Sequence, residues 1–257
     1  MIAPSDYVQI GDLIYLEDDS KFVGAVGIGS DDAGFTSAMD AASLRSSGEF
    51  ATRAAFVVQP QSTWSNLQSF KTLIERQGLS MAEGQVSPET AAAYRECEIE
   101  KTRNEKETAR MAGRTLHFGM VIQLLHHASS KHLSTSRQPA SVAGTWGNKL
   151  VVDAHAGESG WFKVKPKLKV HNEGEKVHTG DPVVLEEMSS GQRLTFGSVA
   201  PDGETQEVVS VSEITNASAF KMVSSCPADA PSDPRGPAKR SSGTDDATYT
   251  YEATSHA

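Results

Sequence analysis

The 257-residue chain has 38% hydrophobic and 22% charged residues, an ordinary composition for a soluble protein with a core large enough to fold independently. Its net charge of −9 argues against a nucleic-acid-binding role, because such proteins need a basic surface that neutralises phosphates. The same charge argues against non-specific binding to an anionic membrane. The apolar runs are far shorter than the roughly 20 residues of a membrane span, so we expect no direct membrane insertion.

The cysteine content and the N-terminus indicate a reducing compartment. Two cysteines, Cys97 and Cys226, cannot build a disulfide framework. The first eleven residues include Pro4 and Asp6 and contain no apolar segment of the kind that a signal peptide needs. We therefore expect a protein of the cytoplasm or of a surface that faces it.

One pattern occurs three times along the chain. Each copy opens with a glycine and a short apolar strand, at residues 11–16, 119–124 and 180–185. A polar turn and a returning strand follow each opening strand, which is typical of a β-hairpin. Each copy closes with a strand that contains a phenylalanine: Phe56, Phe162 and Phe220. The intervals from opening glycine to closing phenylalanine are 45, 43 and 40 residues.

These repeats predict an all-β fold, a β-trefoil. Three units of about four strands, related by pseudo-threefold symmetry, place six strands in a barrel and three hairpins over one end. Closing the barrel removes the sheet edges, which makes such a domain stable on its own. We place this domain at residues 1–223.

A helix-turn-helix arm is predicted in the first repeat, after its closing strand. Apolar residues recur at helical spacing across residues 66–77, at Leu67, Phe70, Leu73 and Ile74. Gly78 ends this helix, and Ser87 with Pro88 begins a second helix that continues to about Gly113. The arm therefore occupies about residues 66–113.

The second helix of the arm is polar on almost every side. Acidic and basic residues are spaced to pair on its surface: Glu98 with Lys101, Glu100 with Arg103, and Glu107 with Arg110. Such a helix either projects into solvent or contacts another domain or subunit. For the second case the candidate contact residues are Tyr94, Glu98 and Arg103.

Four lysines alternate along the closing strand of the second repeat: Lys163, Lys165, Lys167 and Lys169. If the strand continues through Pro166, its period of two places all four ammonium groups on one side. This row is either a solvated outer face or a surface for an acidic partner or a phosphate-bearing ligand.

The sequence predicts no catalytic, ligand-binding or metal site, no cofactor and no enzyme activity. Four histidines lie on or near one hairpin: His117, His126, His127 and His132. Alternate strand positions face opposite ways, and no acidic or cysteine ligand set accompanies them, so we expect surface histidines. None of the three tryptophans has a glutamine two residues before it, which argues against a lectin of the ricin type.

Residues 224–257 differ in composition from the rest of the chain. They contain four prolines, six serines and few large apolar residues. Such a segment cannot bury enough surface to offset its ordering entropy. We interpret it as a disordered tail or as a gene-model artefact.

Residues 119–133 resemble the N-terminal domain of inositol trisphosphate receptors. Residues 56–60, 160–166 and 180–194 are also similar to it. Ryanodine receptors share the architecture, and residues 173–177 are similar to theirs. The resemblance extends over about residues 8–223 and includes the arm.

This resemblance implies a regulatory "suppressor" domain of a tetrameric calcium-release channel at the cytosolic face of the endoplasmic reticulum. Such a domain lowers the ligand affinity of the adjacent binding core. It also couples ligand binding to the pore through contacts with neighbouring domains or subunits. Leu168 stands where the family has its coupling tyrosine, so this contact differs here. Because the family's ligand-binding core and pore lie beyond this segment, we expect a chain truncated before both, without its own inositol trisphosphate site.

A second hypothesis is a stand-alone MIR-like β-trefoil. Such a module is related to these receptors and to the repeats of protein O-mannosyltransferases, and it would serve as a binding scaffold in the cytoplasm. The two hypotheses differ in whether channel-coding sequence follows residue 223. An enzyme is the least favoured reading, because trefoils host few active sites.

Overall fold

The described part of the chain forms twelve strands that belong to one sheet. The computed structural model describes residues 6–19, 21–26, 34–42, 44, 49–77, 87–154, 157–201, 206–212 and 218–224. The strands are β1 (Leu13–Asp18), β2 (Lys21–Val26), β3 (Gly34–Asp40), β4 (Phe56–Pro60), β5 (Val121–His126), β6 (Lys131–Pro139), β7 (Asn148–Asp153), β8 (Phe162–Pro166), β9 (Pro182–Glu187), β10 (Arg193–Val199), β11 (Gln206–Val211) and β12 (Phe220–Val223). The all-β class predicted from the repeats is confirmed.

Helices occupy the connections between strands. Within the described residues, the helices are α1 (Phe50–Arg53), α2 (Ser65–Gln77) and α3 (Pro88–Met111), a 3₁₀ turn covers Glu158–Gly160, and Ala41, Ala42 and Leu44 are also helical. Helices α2 and α3 follow β4 and precede β5, and they agree closely with the two helices expected between residues 66 and 113. Ser87 accepts a hydrogen bond from the amide of Thr90, and Pro88 occupies the first turn, so α3 begins at the predicted cap.

Six strands pair in a closed ring. Strand β1 pairs with β4, β4 with β5, β5 with β8, β8 with β9, β9 with β12, and β12 with β1, every pair being antiparallel. These are the opening and closing strands of the three repeats. Closing the ring gives each of them two neighbours, so that none is left as a sheet edge.

The remaining six strands form three hairpins, β2–β3, β6–β7 and β10–β11. Their second strands pair with one another, β3 with β7, β7 with β11, and β11 with β3. The trefoil interpretation rests on these pairings together with the ring.

The three opening glycines make the same backbone contact in each repeat. Each has a positive φ, between 88° and 96°, a conformation that costs glycine little and other residues more. Each donates its N–H to a carbonyl of its closing strand: Gly11 to Val58 (2.7 Å), Gly119 to Val164 (2.7 Å) and Gly180 to Met222 (2.9 Å). The glycine that marks each repeat in the sequence therefore marks the turn into the barrel.

A cycle of three backbone hydrogen bonds joins the segments that precede the opening glycines. Val8 donates to Val177 (3.0 Å), Val177 to Leu116 (2.9 Å), and Leu116 to Val8 (2.8 Å). Each of these residues lies three positions before an opening glycine, and each is fully buried. The cycle links the starts of the three repeats directly.

The barrel interior is apolar and is filled by alternate residues of its strands. The three closing phenylalanines are at most 1% exposed. Alternate residues of the opening strands join them: Ile14 and Leu16, Ile122 and Leu124, and Val183 and Leu185. Each buried side chain of this size contributes about 1.5–3 kcal/mol through removal of apolar surface from water.

The proposed domain limits of residues 1–223 remain a prediction. Apart from Ser224, the tail assigned to residues 224–257 lies outside the described residues.

Candidate interaction surfaces

Helix α2 is held at its N-terminus by a carboxylate from α3. Glu100 is only 3% exposed and accepts hydrogen bonds from the Ser65 hydroxyl (3.1 Å) and from the amides of Asn66 and Leu67 (each 3.1 Å at its shorter contact). The first amides of a helix lack intrahelical partners and carry the positive end of its dipole, so a carboxylate there is doubly favourable. The expected surface pairing of Glu100 with Arg103 is therefore wrong.

Asn104 continues this clamp one turn further along α3. Its side-chain oxygen accepts from the Thr63 amide (3.2 Å), and its side-chain nitrogen donates to the Thr63 carbonyl (2.7 Å). Cys97 is buried one turn earlier, and burial followed by the nearby charge of Glu100 raises the pKa of its thiol. We call Glu100 and Asn104 the helix clamp.

The helix clamp was missed by sequence reasoning, although one signal for it exists. Cys97, Glu100 and Asn104 are spaced by three and four residues, which places them on one face of a helix. A face that combines a small apolar residue with polar residues is a candidate for packing against another backbone. We did not recognise this face in the sequence because charged residues surround it along the helix.

The outward side of α3 presents the predicted contact residues. Glu98 and Arg103 line one groove of about 730 Å³ together with Ile99, which is 51% exposed. Tyr94 is 50% exposed, and its ring lies 5.8 Å from that of Phe70 on α2. The structure thus brings Glu98 and Arg103 together and places Tyr94 at the contact between the two helices.

The third predicted ion pair on α3 is confirmed. Arg110 donates two hydrogen bonds to Glu107, of 2.8 Å and 2.5 Å. The hydrogen bond from Arg110 lowers the pKa of Glu107. Both groups lie in solvent, so the pair orders the surface of the helix and adds little stability.

The four lysines do not form a single row. Strand β8 ends at Pro166, so the condition for placing all four on one side is not met. Lys163 pairs with Glu173 (2.7 Å) and Lys165 with Glu186 (2.5 Å). The hydrogen bond from Lys163 lowers the pKa of Glu173. The other two, Lys167 and Lys169, are exposed in the turn that follows.

This turn, residues 167–170, presents apolar side chains to solvent. Leu168 is 50% exposed and Val170 is 73% exposed. The turn is anchored at both sides, because the Lys167 amide donates to the Pro182 carbonyl (3.1 Å) and the His171 ring stacks on Phe118 at 5.4 Å. The 167–170 turn is therefore an anchored apolar projection flanked by two ammonium groups.

Two of the histidines expected at the surface are buried, so this prediction is wrong for His126 and His132. The His126 ring makes hydrogen bonds with the Ser129 hydroxyl (2.8 Å) and the Arg53 carbonyl (3.2 Å). Burial lowers the pKa of His126. The sequence pattern did not reveal this burial, because α1, which supplies the Arg53 carbonyl, lies far from His126 in the chain.

A polar cavity of about 680 Å³ lies between the start of α2 and the barrel. Its walls come from α2, β6, the segment before β8 and the β9–β10 turn. The Trp161 indole donates to the Ser62 carbonyl (2.8 Å), which fixes one wall. Glu187 fixes the opposite wall by accepting hydrogen bonds from the hydroxyls and amides of Ser189 and Ser190.

Within the described ranges, histidine, cysteine, aspartate and glutamate side chains form no group of three that could hold a metal ion. Of the helices that the structure describes, none has the length and apolar character needed to cross a membrane.

Solved structures resemble this fold at low sequence identity. A Caenorhabditis elegans protein of unknown function from structural genomics superposes with a TM-score of 0.52 at 12% identity, over 86% of this chain and 98% of that chain. The SDF2-like protein from Arabidopsis thaliana superposes with a TM-score of 0.51 at 10% identity, over 84% of this chain and 94% of that chain. These similarities show the fold alone.

Sequence relatives define the family. The inositol 1,4,5-trisphosphate receptor itr-1 of Caenorhabditis elegans is 27% identical over 86 residues, which are 34% of this chain and 3% of that receptor. The chain therefore matches a small fraction of that relative's length. The sequence profile described as inositol 1,4,5-trisphosphate/ryanodine receptor matches residues 4–228, which include all twelve strands and the helix clamp. The chain belongs to the inositol 1,4,5-trisphosphate/ryanodine receptor family.

Proposed function

We propose that this chain is an N-terminal regulatory and coupling module of an intracellular ligand-gated calcium-release channel. The observation that carries the proposal is the family match over residues 4–228, which includes both exposed surfaces described above. The module acts through contacts with neighbouring domains or subunits of a tetramer at the cytosolic face of the endoplasmic reticulum. It has no catalytic role in this proposal.

The architecture suits a module that transmits force between two surfaces. The helix pair is attached to the barrel through Met111, which packs against the barrel core, and the 167–170 turn is attached through His171 and the backbone of Lys167. Both surfaces are attached to the closed barrel, whose interior is apolar and buried and therefore deforms little under load. A displacement imposed at one surface therefore moves the other.

The 167–170 turn supplies the contact chemistry in this proposal. Leu168 offers an apolar group, and Lys167 and Lys169 offer positive charge beside it. The matching surface on a neighbour is an apolar pocket with acidic groups at its rim. The exposed face of α3, with Tyr94, Glu98 and Arg103, is the second contact.

A receptor chimera tests this function. Residues 4–228 replace the corresponding segment of the itr-1 receptor, and inositol trisphosphate binding and calcium release are measured beside the receptor that lacks the segment. We expect the chimera to bind inositol trisphosphate more weakly than the deletion and to release calcium. Tetrameric assembly is verified first. A tetrameric chimera that has the ligand affinity of the deletion would overturn the proposal.

Variants of the chimera locate the contact. Leu168→Glu places a carboxylate in the apolar contact and should abolish calcium release while ligand binding persists. The matched control is Glu49→Gln, which removes an exposed charge beside α1 that neither contact in this proposal uses. If Leu168→Glu releases calcium as the unmodified chimera does, the 167–170 turn is not the coupling surface.

A further inference from the structure

The loop between β6 and β7 is fixed at several points, yet it presents a tryptophan to solvent. The Ser198 amide donates to the Thr145 hydroxyl of this loop (2.9 Å). The Ser141 amide, also in the loop, donates to the Glu207 carboxylate (2.8 Å). Trp146 follows Thr145 and is 86% exposed. Tryptophans are enriched at binding interfaces because they bury much apolar surface on contact, and this loop holds one in place for such a contact.

Trp146 borders a groove of about 790 Å³ between the β6–β7 loop and the β10–β11 hairpin. Its apolar lining comes from Trp146, Phe196, Val209 and Val211. Glycines and neutral polar side chains complete the walls, and among the described residues that line the groove none carries a charge. We call it the Trp146 groove. Aromatic walls of this kind bind segments in the polyproline II conformation.

The sequence that follows the barrel contains a segment of matching chemistry. Prolines recur every third residue, at Pro231, Pro234 and Pro237. A polyproline II helix has three residues per turn, so in that conformation the three proline rings share one face. Asp233 and Arg235 then belong to the other two faces, where their charges stay in water. The proline face is uncharged, as the lining of the Trp146 groove is.

The chain leaves the barrel near enough to the groove for this segment to reach it. The ring of Phe220, the first residue of β12, lies 5.3 Å from the ring of Phe196 in the groove wall. Ser224 follows the end of β12 and lies about 13 Å from Phe220, because a strand rises about 3.3 Å per residue. The chain from Ser224 to Pro231 can span up to about 25 Å, which is enough to return to Phe196.

We propose that residues 231–237 bind in the Trp146 groove of the same chain, with their proline face against Trp146 and Phe196. A short flexible connection gives the segment an effective concentration in the millimolar range, so a weak contact is sufficient for occupancy. The segment thereby competes with any proline-rich segment of another protein for this groove.

Fluorine NMR of the full chain, with fluorotryptophan at its three tryptophan positions, tests the contact. Trp146→Phe assigns the Trp146 resonance by removing it. The test variant carries Pro231→Ala, Pro234→Ala and Pro237→Ala together. It should shift the Trp146 resonance and increase its response to heavy water, because the indole loses its cover. The resonances of Trp64 and Trp161 should stay in place, which shows that the fold is unchanged.

Two controls test the spacing and the ligand. Pro227 belongs to the same part of the chain but lies four residues before Pro231, outside the three-residue spacing. Pro227→Ala should therefore leave the Trp146 resonance in place. A synthetic peptide of residues 227–240, added to the triple variant at millimolar concentration, should return the resonance toward its position in the unchanged chain.

The proposal is overturned if the Trp146 resonance is the same in the unchanged chain and the triple variant. It is also overturned if Pro227→Ala shifts the resonance equally, or if the peptide leaves it unmoved. A resonance of the unchanged chain that moves to the triple variant's position on dilution would show that the segment binds another copy, against the proposal. The receptor chimera ends at residue 228 and lacks this segment, so the two proposals fail independently.

Discussion

The barrel and the helix pair are stabilised by different interactions. The barrel interior is filled by apolar side chains from three equivalent sets of strands, such as Phe56, Phe162 and Phe220. The contact between α2 and α3 depends on two buried polar side chains, Glu100 and Asn104, which bind backbone groups at the start of α2. Burial of apolar surface therefore stabilises the barrel, whereas a few buried hydrogen bonds hold the two helices together.

The two regions therefore lose their structure in different ways. Apolar packing is distributed over many residues and two-state in character, so its loss unfolds the whole barrel. Directed hydrogen bonds at a helix start are local, so their loss releases one element and leaves the rest folded. A coupling module benefits from both properties, because the barrel keeps its shape while the helix pair adjusts.

The largest effect is expected from Phe162→Ala in the barrel. Removing a fully buried phenyl ring costs about 3–5 kcal/mol, a large part of the ~5–15 kcal/mol that a domain has in total. Urea unfolding followed by circular dichroism measures the loss. Leu168→Ala, at an exposed position, is the control and should change the stability by less than about 0.5 kcal/mol. Similar losses in both variants would contradict the description of the core.

A smaller and local effect is expected from Glu100→Ala. The amides of Asn66 and Leu67 lose their acceptor, at a cost of about 1–3 kcal/mol confined to the helix pair. Hydrogen exchange should accelerate along α2 and remain slow in β5 and β8. Glu107→Ala, on the exposed part of α3, is the control and should not alter exchange in α2. Equal acceleration in the barrel strands would show that the two regions unfold together.

The smallest effect is expected from pH, through the buried histidine at the end of strand β5. Burial lowers the pKa of His126, so the folded state binds this proton less readily than the unfolded state, whose histidine pKa is about 6.5. Stability is therefore complete above about pH 6.5 and decreases as the pH falls below it. We compare unfolding midpoints of the wild type and His126→Gln from about pH 7.5 to about pH 5.5.

The variant should lose less stability than the wild type across this range, because glutamine keeps a polar side chain that does not titrate. Parallel curves for the two proteins would show that His126 does not cause the decrease. In that case the contrast between an apolar barrel and a polar helix pair would be sharper than the structure indicates.

Much of the fold was predictable from the sequence, and the candidate surfaces only in part. The opening glycines and closing phenylalanines predicted the strands. A strand is recognised from a few neighbouring residues, through its turn glycine and the alternation of its apolar side chains. The caps at Ser87 and Pro88 predicted the start of α3 for the same reason. The prediction for Lys163 and Lys165 failed to include their carboxylate partners, because Glu173 and Glu186 come from other segments of the chain.

The three repeats and the two helices between the first and second of them could be predicted from the sequence alone. These follow from periodicity, capping and turn chemistry, which act over a few residues. The burial of Glu100 and His126 and the polar cavity beside Trp161 could be seen only in the folded structure. Glu100 and His126 each bind a partner more than 30 residues away in the chain. A local sequence pattern cannot identify such a distant partner, so it cannot predict that the polar group is buried.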